Sequence, residues 1–222
     1  MKTHNVEQGG LAWLKLRAQY PTASEFGQLV TPKTLKPSAQ MHAYIARKIA
    51  EKWMGKPVET YSGGAMEQGS VLEEEARPWY ALETGATIET PGFITHDDDT
   101  AGCSPDALAR QGEQAWGVEI KCPEPQTHVA YLLAGVLPDQ YRLQVQGSML
   151  VTEMERWDFL SYCRGFPALL VTVERDKEVC TALVDALAEF QVGFQVGWKQ
   201  LVEANGGYEP EPQAEKEERI PW

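Results

Sequence analysis

Apolar residues recur along this chain at two spacings, every three to four positions and every second position, and the two spacings separate helices from strands. Leu11, Trp13, Leu14 and Leu16 predict a short helix within 7–20, just after Gly9-Gly10. Met41, Tyr44, Ile45, Lys48, Ile49 and Trp53 stripe a helix over 38–54, which Gly55 and Pro57 end. Met66, Leu72, Ala76, Trp79, Tyr80 and Leu82 do the same over 66–84. Two further helices are predicted over 127–133 and 139–152, separated by the break at Gly135 to Pro138. A long one covers 177–202, where Val179, Leu183, Leu187, Phe190, Phe194 and Trp198 repeat. Strand patterns fill the gaps: 87–95 with a break at Pro91-Gly92, a short segment carrying Asp106, then 116–121, 156–163 and 168–174. Pro21-Thr22-Ala23-Ser24-Glu25 reads as a helix start with a Thr22 and Glu25 capping box. The free N–H groups of such a start favour an anion.

Length and composition set the frame. The 222 residues suffice for one domain with a sizeable core, expected over 1–204. Residues 205–222, rich in Gly, Pro and Glu and ending in apolar Ile220-Pro221-Trp222, are expected to form a mobile acidic tail. No apolar run approaches the roughly 20 residues of a membrane span. The first residues have no apolar stretch of signal-peptide type. Cys103, Cys122, Cys163 and Cys180 form no C-x-x-C pair, which suits reduced thiols in a cytoplasm. Cys103 and Cys122 read as buried small hydrophobes rather than reactive groups.

The formal charge of -12 argues at first against nucleic acid, but its distribution changes that. Residues 1–60 hold nine basic side chains against four acidic ones, a local excess of +5. The acids gather later, at Glu73-Glu74-Glu75, at Asp97-Asp98-Asp99 and in the tail. A basic surface of this kind is compatible with salt-sensitive DNA binding.

The strongest chemical pattern lies between Ser104 and Pro123. A turn at Gln111-Gly112-Glu113 joins the segment of Asp106 to the strand ending in Glu119-Ile120-Lys121. Side chains alternate along a strand, so Glu119 and Lys121 share one face while Ile120 points into apolar packing. If the two strands pair, Asp106 joins them. Two carboxylates offer the hard oxygen donors that Mg²⁺ prefers, and the ammonium can hold a water beside the ion. Glu73 lies near the apolar stripe of its helix, with Gly69 and Ala76, and an inward acid needs a partner. Tyr141 and Gln144 share a helix face and can grip a phosphate or a water. Arg17, Thr22 and Ser24 can hold a phosphate together. Each of these also has a plainer reading: a charged helix face, a polar turn, an ordinary cap. His96 and the three acids after it read as a solvated loop.

Taken in order, V-E-Q-G-x-x-A-W-x-K-L-R at 6–17, T-A-S-E at 22–25, G-S-V-L-E-E-E-A at 69–76, C-S-P-D-A-L at 103–108, E-I-K-C-P at 119–123 and Y-R-L-Q-V-Q-x-S-M at 141–149 resemble the PD-(D/E)xK nucleases. They resemble most closely the lambda exonuclease family, the YqaJ-type alkaline exonucleases of phage recombination. The resemblance implies an α/β fold with a three-layer core, a mixed central sheet flanked by helices. It implies Mg²⁺ dependence, with Mn²⁺ as a substitute, and 5′→3′ degradation of one strand of double-stranded DNA. It also implies a homotrimeric ring and a single-strand annealing protein as partner. Carried over by position, Asp106, Glu119 and the Ile120 carbonyl would hold the metal, and Lys121 would position the attacking water. Glu73 and Gln144 would support that water or a second metal. Arg17, with Ser24, would take the 5′-phosphate, and Tyr141 would contact DNA. A site-specific endonuclease or junction resolvase of the same core is the nearest alternative. A non-catalytic DNA-binding subunit fits less well, since Asp106, Glu119 and Lys121 are all present. Four dispersed cysteines speak against an iron–sulfur nuclease.

Overall fold

A computed structural model describes residues 1–58 and 64–210, with side chains described except at 64–71. In chain order the elements are β1 (Lys2–His4), α1 (Leu11–Gln19), a 3-10 helix (Ala23–Gln28), α2 (Met41–Met54), α3 (Gly64–Thr84), β2 (Thr87–Glu89), β3 (Phe93–Thr95) and β4 (Gly102–Cys103). They continue with β5 (Ala107–Gln111), β6 (Gln114–Lys121), α4 (Pro125–Ala134), α5 (Asp139–Thr152), β7 (Arg156–Ser161), β8 (Leu169–Glu174) and α6 (Lys177–Ala204). The larger sheet has the order β2-β5-β6-β7-β8, and β1-β3-β4 form a smaller one.

β6 is the axis of the larger sheet. It pairs antiparallel with β5, from Ala107 opposite Val118 to Gln111 opposite Gln114. With β7 it pairs parallel, Glu119 opposite Phe159 and Lys121 opposite Ser161. A parallel neighbour cannot be reached by a tight turn, so the chain crosses over through α4 and α5. Val118 and Ile120 face one side, where they are fully buried with Ala107, Ala109, Leu160 and the α3 residues Ala76 and Tyr80. Burying side chains of this size contributes about 1.5–3 kcal/mol each. The opposite face carries Trp157, packed on Val145 and Met149 of α5. Gly117 lies under that indole: a Cβ there would stand 2.2 Å from the ring, so no larger residue fits. A third cluster joins α5 to the 3-10 helix, α2 and α6 through Phe26, Tyr44, Leu143, Leu183 and Phe190. The result is the expected three layers, helix on sheet on helix.

Several details differ from the sequence reading. The start at Thr22 is a 3-10 helix, and Thr22 makes no side-chain cap bond to the backbone. Its hydroxyl donates instead to the Glu25 carboxylate at 3.2 Å. Tyr44 and Arg47 of α2 compete for the same carboxylate, so tertiary partners replace the local box. The 87–95 strand is two strands in different sheets, divided at the predicted break. The short strands β1 and β4 have no periodic signature and were not anticipated. α6, by length and composition alone, is long and apolar enough to cross a membrane, contrary to the sequence expectation, although one face packs against α2 in the core. The expected tail begins past α6; residues 211–222, including Ile220 to Trp222, and the 61–63 connection lie outside the described residues.

A buried polar network fastens α3 to the sheet. The Tyr80 hydroxyl donates to the fully buried Asp158 carboxylate at 2.5 Å and accepts from Trp116 Nε1 at 2.6 Å. Thr172 Oγ1 and Arg156 complete the shell of Asp158, at 2.9 Å and 3.0 Å. Removing one donor from a buried carboxylate costs about 1.5–3 kcal/mol. Tyr80→Phe is therefore expected to lower unfolding free energy by about 2 kcal/mol and the midpoint by ~4–8 °C in thermal and urea melts. An unchanged melt would contradict this account of the anchor.

Candidate active site

The site forms where β5 and β6 part. The last β5–β6 pair is Ala107 with Val118, so Asp106 stands just before β5 rather than on it. Its Oδ2 accepts the Ile120 N–H at 2.6 Å. A residue's N–H and C=O point to the same strand edge, so the Ile120 carbonyl opens on the Asp106 side, past the end of the ladder. Glu119 is buried on the face away from Ile120, as period 2 requires. It pairs with Lys121 Nζ and accepts Gln144 Nε2 at 2.5 Å. Lys121 Nζ also lies 5.7 Å from the Tyr141 ring, within cation–π range. Tyr141 stacks on Phe159 at 5.2 Å, and Phe159 is the β7 residue opposite Glu119. Tyr141 and Gln144, one helical turn apart on α5, thus both reach the site.

Glu73 arrives from α3 on the other side of the sheet. It sits 3.9 Å from Arg77, one turn on, whose Nε donates to the Asp106 carbonyl at 3.0 Å. Burial, with the Asp106 charge adding to it, raises the Glu73 carboxyl to about 7 against the opposing pull of Lys121 and Arg77. Burial likewise raises Glu119 to about 7, although Lys121 works in the opposite direction. Burial alone would lower the Lys121 ammonium; Glu119, Asp106 and Glu73 together outweigh it and keep it charged. When all are ionised, the carboxylates of Asp106, Glu119 and Glu73 carry more negative charge than Lys121 and Arg77 offset, a surplus that a bound cation would meet. Among the described residues no three His, Cys, Asp or Glu side chains close into a metal cage. Two carboxylates and a backbone carbonyl are oxygen donors of the kind Mg²⁺ takes. Burial pushes the Cys122 thiol up to about 12 and Cys103 higher still, so neither is a thiolate near neutrality; Cys103 is buried as expected, whereas Cys122 is only half-buried.

A second cluster surrounds Arg17. Its Nη2 donates to Ser24 Oγ at 3.2 Å, and its guanidinium lies 4.6 Å over the Trp13 ring. Neither contact neutralises it. Burial lowers its pKa, yet a guanidinium stays charged at any working pH. Lys48, buried on α2 and paired with Glu51 at 2.8 Å, donates to the Arg17 carbonyl and holds that turn of α1. Arg47 compensates the nearby Glu25. Trp13 Nε1 donates to Ser104 Oγ at 2.7 Å, and Gln8 Nε2 donates to the Pro105 carbonyl at 2.9 Å. The N-terminal segment is thereby bonded to the two residues that precede Asp106. Trp13, Arg77 and Ser104 were not singled out from sequence. Spacing offered a signal for two of them, because Trp13 stands four before Arg17 and Arg77 four after Glu73.

A mixed sheet flanked by helices, with Asp106, Glu119 and Lys121 at the parting of two central strands, is the fold of the PD-(D/E)xK nucleases. Residues 12–155 match the YqaJ-like viral recombinase domain, and the chain belongs to that family. Its fold is similar to that of the alkaline exonuclease LHK-Exo from Laribacter hongkongensis, at 28% identity and TM-score 0.77 over 88% of this chain and 97% of that one. The complex of LHK-Exo with dAMP matches at 27% identity, TM-score 0.77 and the same coverage. A phage-related exonuclease from Haemophilus somnus shares the fold at 15% identity and TM-score 0.60, over 84% of this chain and 96% of that one. No curated protein sequence matches the chain.

The raised carboxyls carry a stability signature. Glu119 ordinarily ionises near 4.5 and in the fold near 7, so the folded state binds the extra proton between those values. Its contribution is complete below about 4.5 and is lost as pH rises through about 7. In chelator, the stability of the protein relative to its Glu119→Gln variant is expected to fall between pH 5 and pH 8, read by thermal melts. Mg²⁺ added at pH 8 should raise the wild-type midpoint more than that of the variant. A constant difference across the range would contradict the burial argument.

Proposed function

We propose that the chain is a Mg²⁺-dependent exonuclease that digests the 5′-ended strand of linear double-stranded DNA and leaves a 3′ single-stranded overhang for recombination by strand annealing. The observation that carries this reading is the meeting of Glu119 with Lys121 and Gln144, next to Asp106 on the Ile120 N–H, together with an Arg17 that makes no ion pair among the described residues and stacks on the Trp13 bonded to Ser104. Family membership and the likeness to an alkaline exonuclease support it.

Asp106, Glu119 and the Ile120 carbonyl would hold the cation, with Mn²⁺ as a substitute. Bound there, it would supply a Lewis acid to polarise the scissile phosphoryl group and to acidify a water. Lys121 keeps its proton, so its task is to orient the water and to balance phosphate charge. Gln144 fixes the Glu119 carboxylate oxygen nearest Lys121, and Glu73, its carboxyl raised to about 7, would support that water or a second metal. Arg17 and Ser24 would take the terminal 5′-phosphate, since a guanidinium grips phosphate through two parallel N–H groups. Tyr141 offers an aromatic face beside Lys121 on which a base or sugar can rest. An end anchored at Arg17 sets the polarity of cutting. A homotrimeric ring around the duplex would retain the substrate, and a single-strand annealing protein would take the overhang, in the cytoplasm of a bacterial host.

Incubating end-labelled linear duplex and closed circular duplex with the protein tests this directly. Mononucleotide release from the linear substrate alone, dependent on Mg²⁺ and stopped by chelator, is the expected result. Cutting of the circle would point to an endonuclease of the same fold. Lys121→Ala should lower the rate by about 10²–10³-fold with DNA binding retained. Arg17→Ala should remove any preference for 5′-phosphorylated over 5′-hydroxyl ends, and an unchanged preference would rule out Arg17 as the anchor.

A further inference from the structure

The two clusters are built on different parts of the chain, and α5 is the element that relates them. Gln144 of α5 holds Glu119. One turn on, Gly147 packs against Phe26 of the 3-10 helix that carries Ser24. A Cβ on Gly147 would stand 2.3 Å and 2.6 Å from Phe26 Cδ2 and Cε2, and 3.4 Å from the Ala23 side chain. The helix backbone is therefore in contact with the ring. Glycine inside a helix is less favourable than alanine, so a glycine here needs a reason, and the close approach is one. Phe26 is fully buried and has no room to retreat. α5 is also held along its axis: Gln146 donates to the Glu174 carbonyl at 2.9 Å and accepts the Asp176 N–H at 2.8 Å. The 3-10 helix leans on β4 through the Thr22 to Gly102 bridge, four residues before Asp106.

We propose that the contact of Gly147 with Phe26 is a spacer that sets the distance from the Arg17–Ser24 phosphate anchor to the Asp106–Glu119 site, and so fixes which phosphodiester is cut relative to the 5′ end. Gly147 and Phe26 are positioning residues; neither touches the substrate. The inference rests on the end-anchor reading above. An exonuclease of that kind must present the first internal phosphate to the reacting centre while the terminal phosphate stays anchored. A displacement of about 1 Å at such a distance can cost about 10²-fold in rate. Gly147→Ala forces the 3-10 helix outward and lengthens the span. Phe26→Leu removes the ring and lets the helix settle inward, which shortens it.

The test compares 5′-phosphorylated and 5′-hydroxyl linear duplexes with the full chain in Mg²⁺. Gly147→Ala is expected to lower kcat on phosphorylated ends by about 10²-fold while the slower digestion of hydroxyl ends changes little. Stabilisation of the variant by Mg²⁺ in a thermal melt should persist, because the carboxylates are not displaced. Phe26→Leu alone should also reduce the preference for phosphorylated ends, and the double variant should recover it. A preference retained in Gly147→Ala and in Phe26→Leu overturns the spacer and leaves the anchor standing. Equal losses on both ends, without recovery in the double variant, overturn it in favour of plain structural support. A wild-type protein indifferent to the terminal phosphate overturns the anchor and the spacer together.

Discussion

Keeping Glu119 charged inside the protein is the constraint from which the rest of the arrangement follows. A carboxylate so deeply buried is costly unless it is paired and hydrogen-bonded. Lys121 supplies the pair from the same face of β6, two residues on, and Gln144 supplies the hydrogen bond from α5. Gln144 can do so only if α5 lies across the sheet, and α5 lies there because β6 and β7 are parallel and need a crossover. Asp106 and Glu73 then add negative charge that Lys121 and Arg77 do not fully offset. The cluster is internally strained in the electrostatic sense, and it is relieved by a proton or by a divalent cation. On the proposed function, the same surplus of carboxylate that favours protons at low pH would draw a cation once the pH had removed them.

The N-terminal quarter of the chain answers a different need. Its cations are managed rather than merely displayed. Lys48 is buried and spent on Glu51 and the Arg17 carbonyl, and Arg47 is spent on Glu25. Arg17 is left against a hydroxyl and an indole face, a geometry that orients its charge without cancelling it. Trp13 joins that guanidinium to Ser104, so the two clusters share a covalent and hydrogen-bonded frame. An acidic protein can address a polyanion in this way, because a few cations placed at one location count for more than the sum over the surface.

Much of this was legible before any fold was drawn. Period-2 alternation put Glu119 and Lys121 on one face and Ile120 in the core. Helical spacing put Tyr141 beside Gln144, and the order of six short segments identified the nuclease family. The capping box at Thr22 failed for a physical reason: Tyr44 and Arg47, about twenty residues away, outbid the local bond for Glu25. The strands β1 and β4 escaped notice because two or three residues carry no period. Asp106 was read as a strand residue, whereas the ladder ends one position after it.

Local alternation, composition and motif order by themselves determined the elements, the face each side chain takes and the chemistry on offer, since those depend on neighbours within a few residues. Only the tertiary structure decided which partners satisfy each buried charge, that Trp13 spans Arg17 and Ser104, and how far the Arg17 cluster stands from Glu119. Contacts such as Gly147 on Phe26 join segments more than a hundred residues apart, where no local pattern registers the pairing.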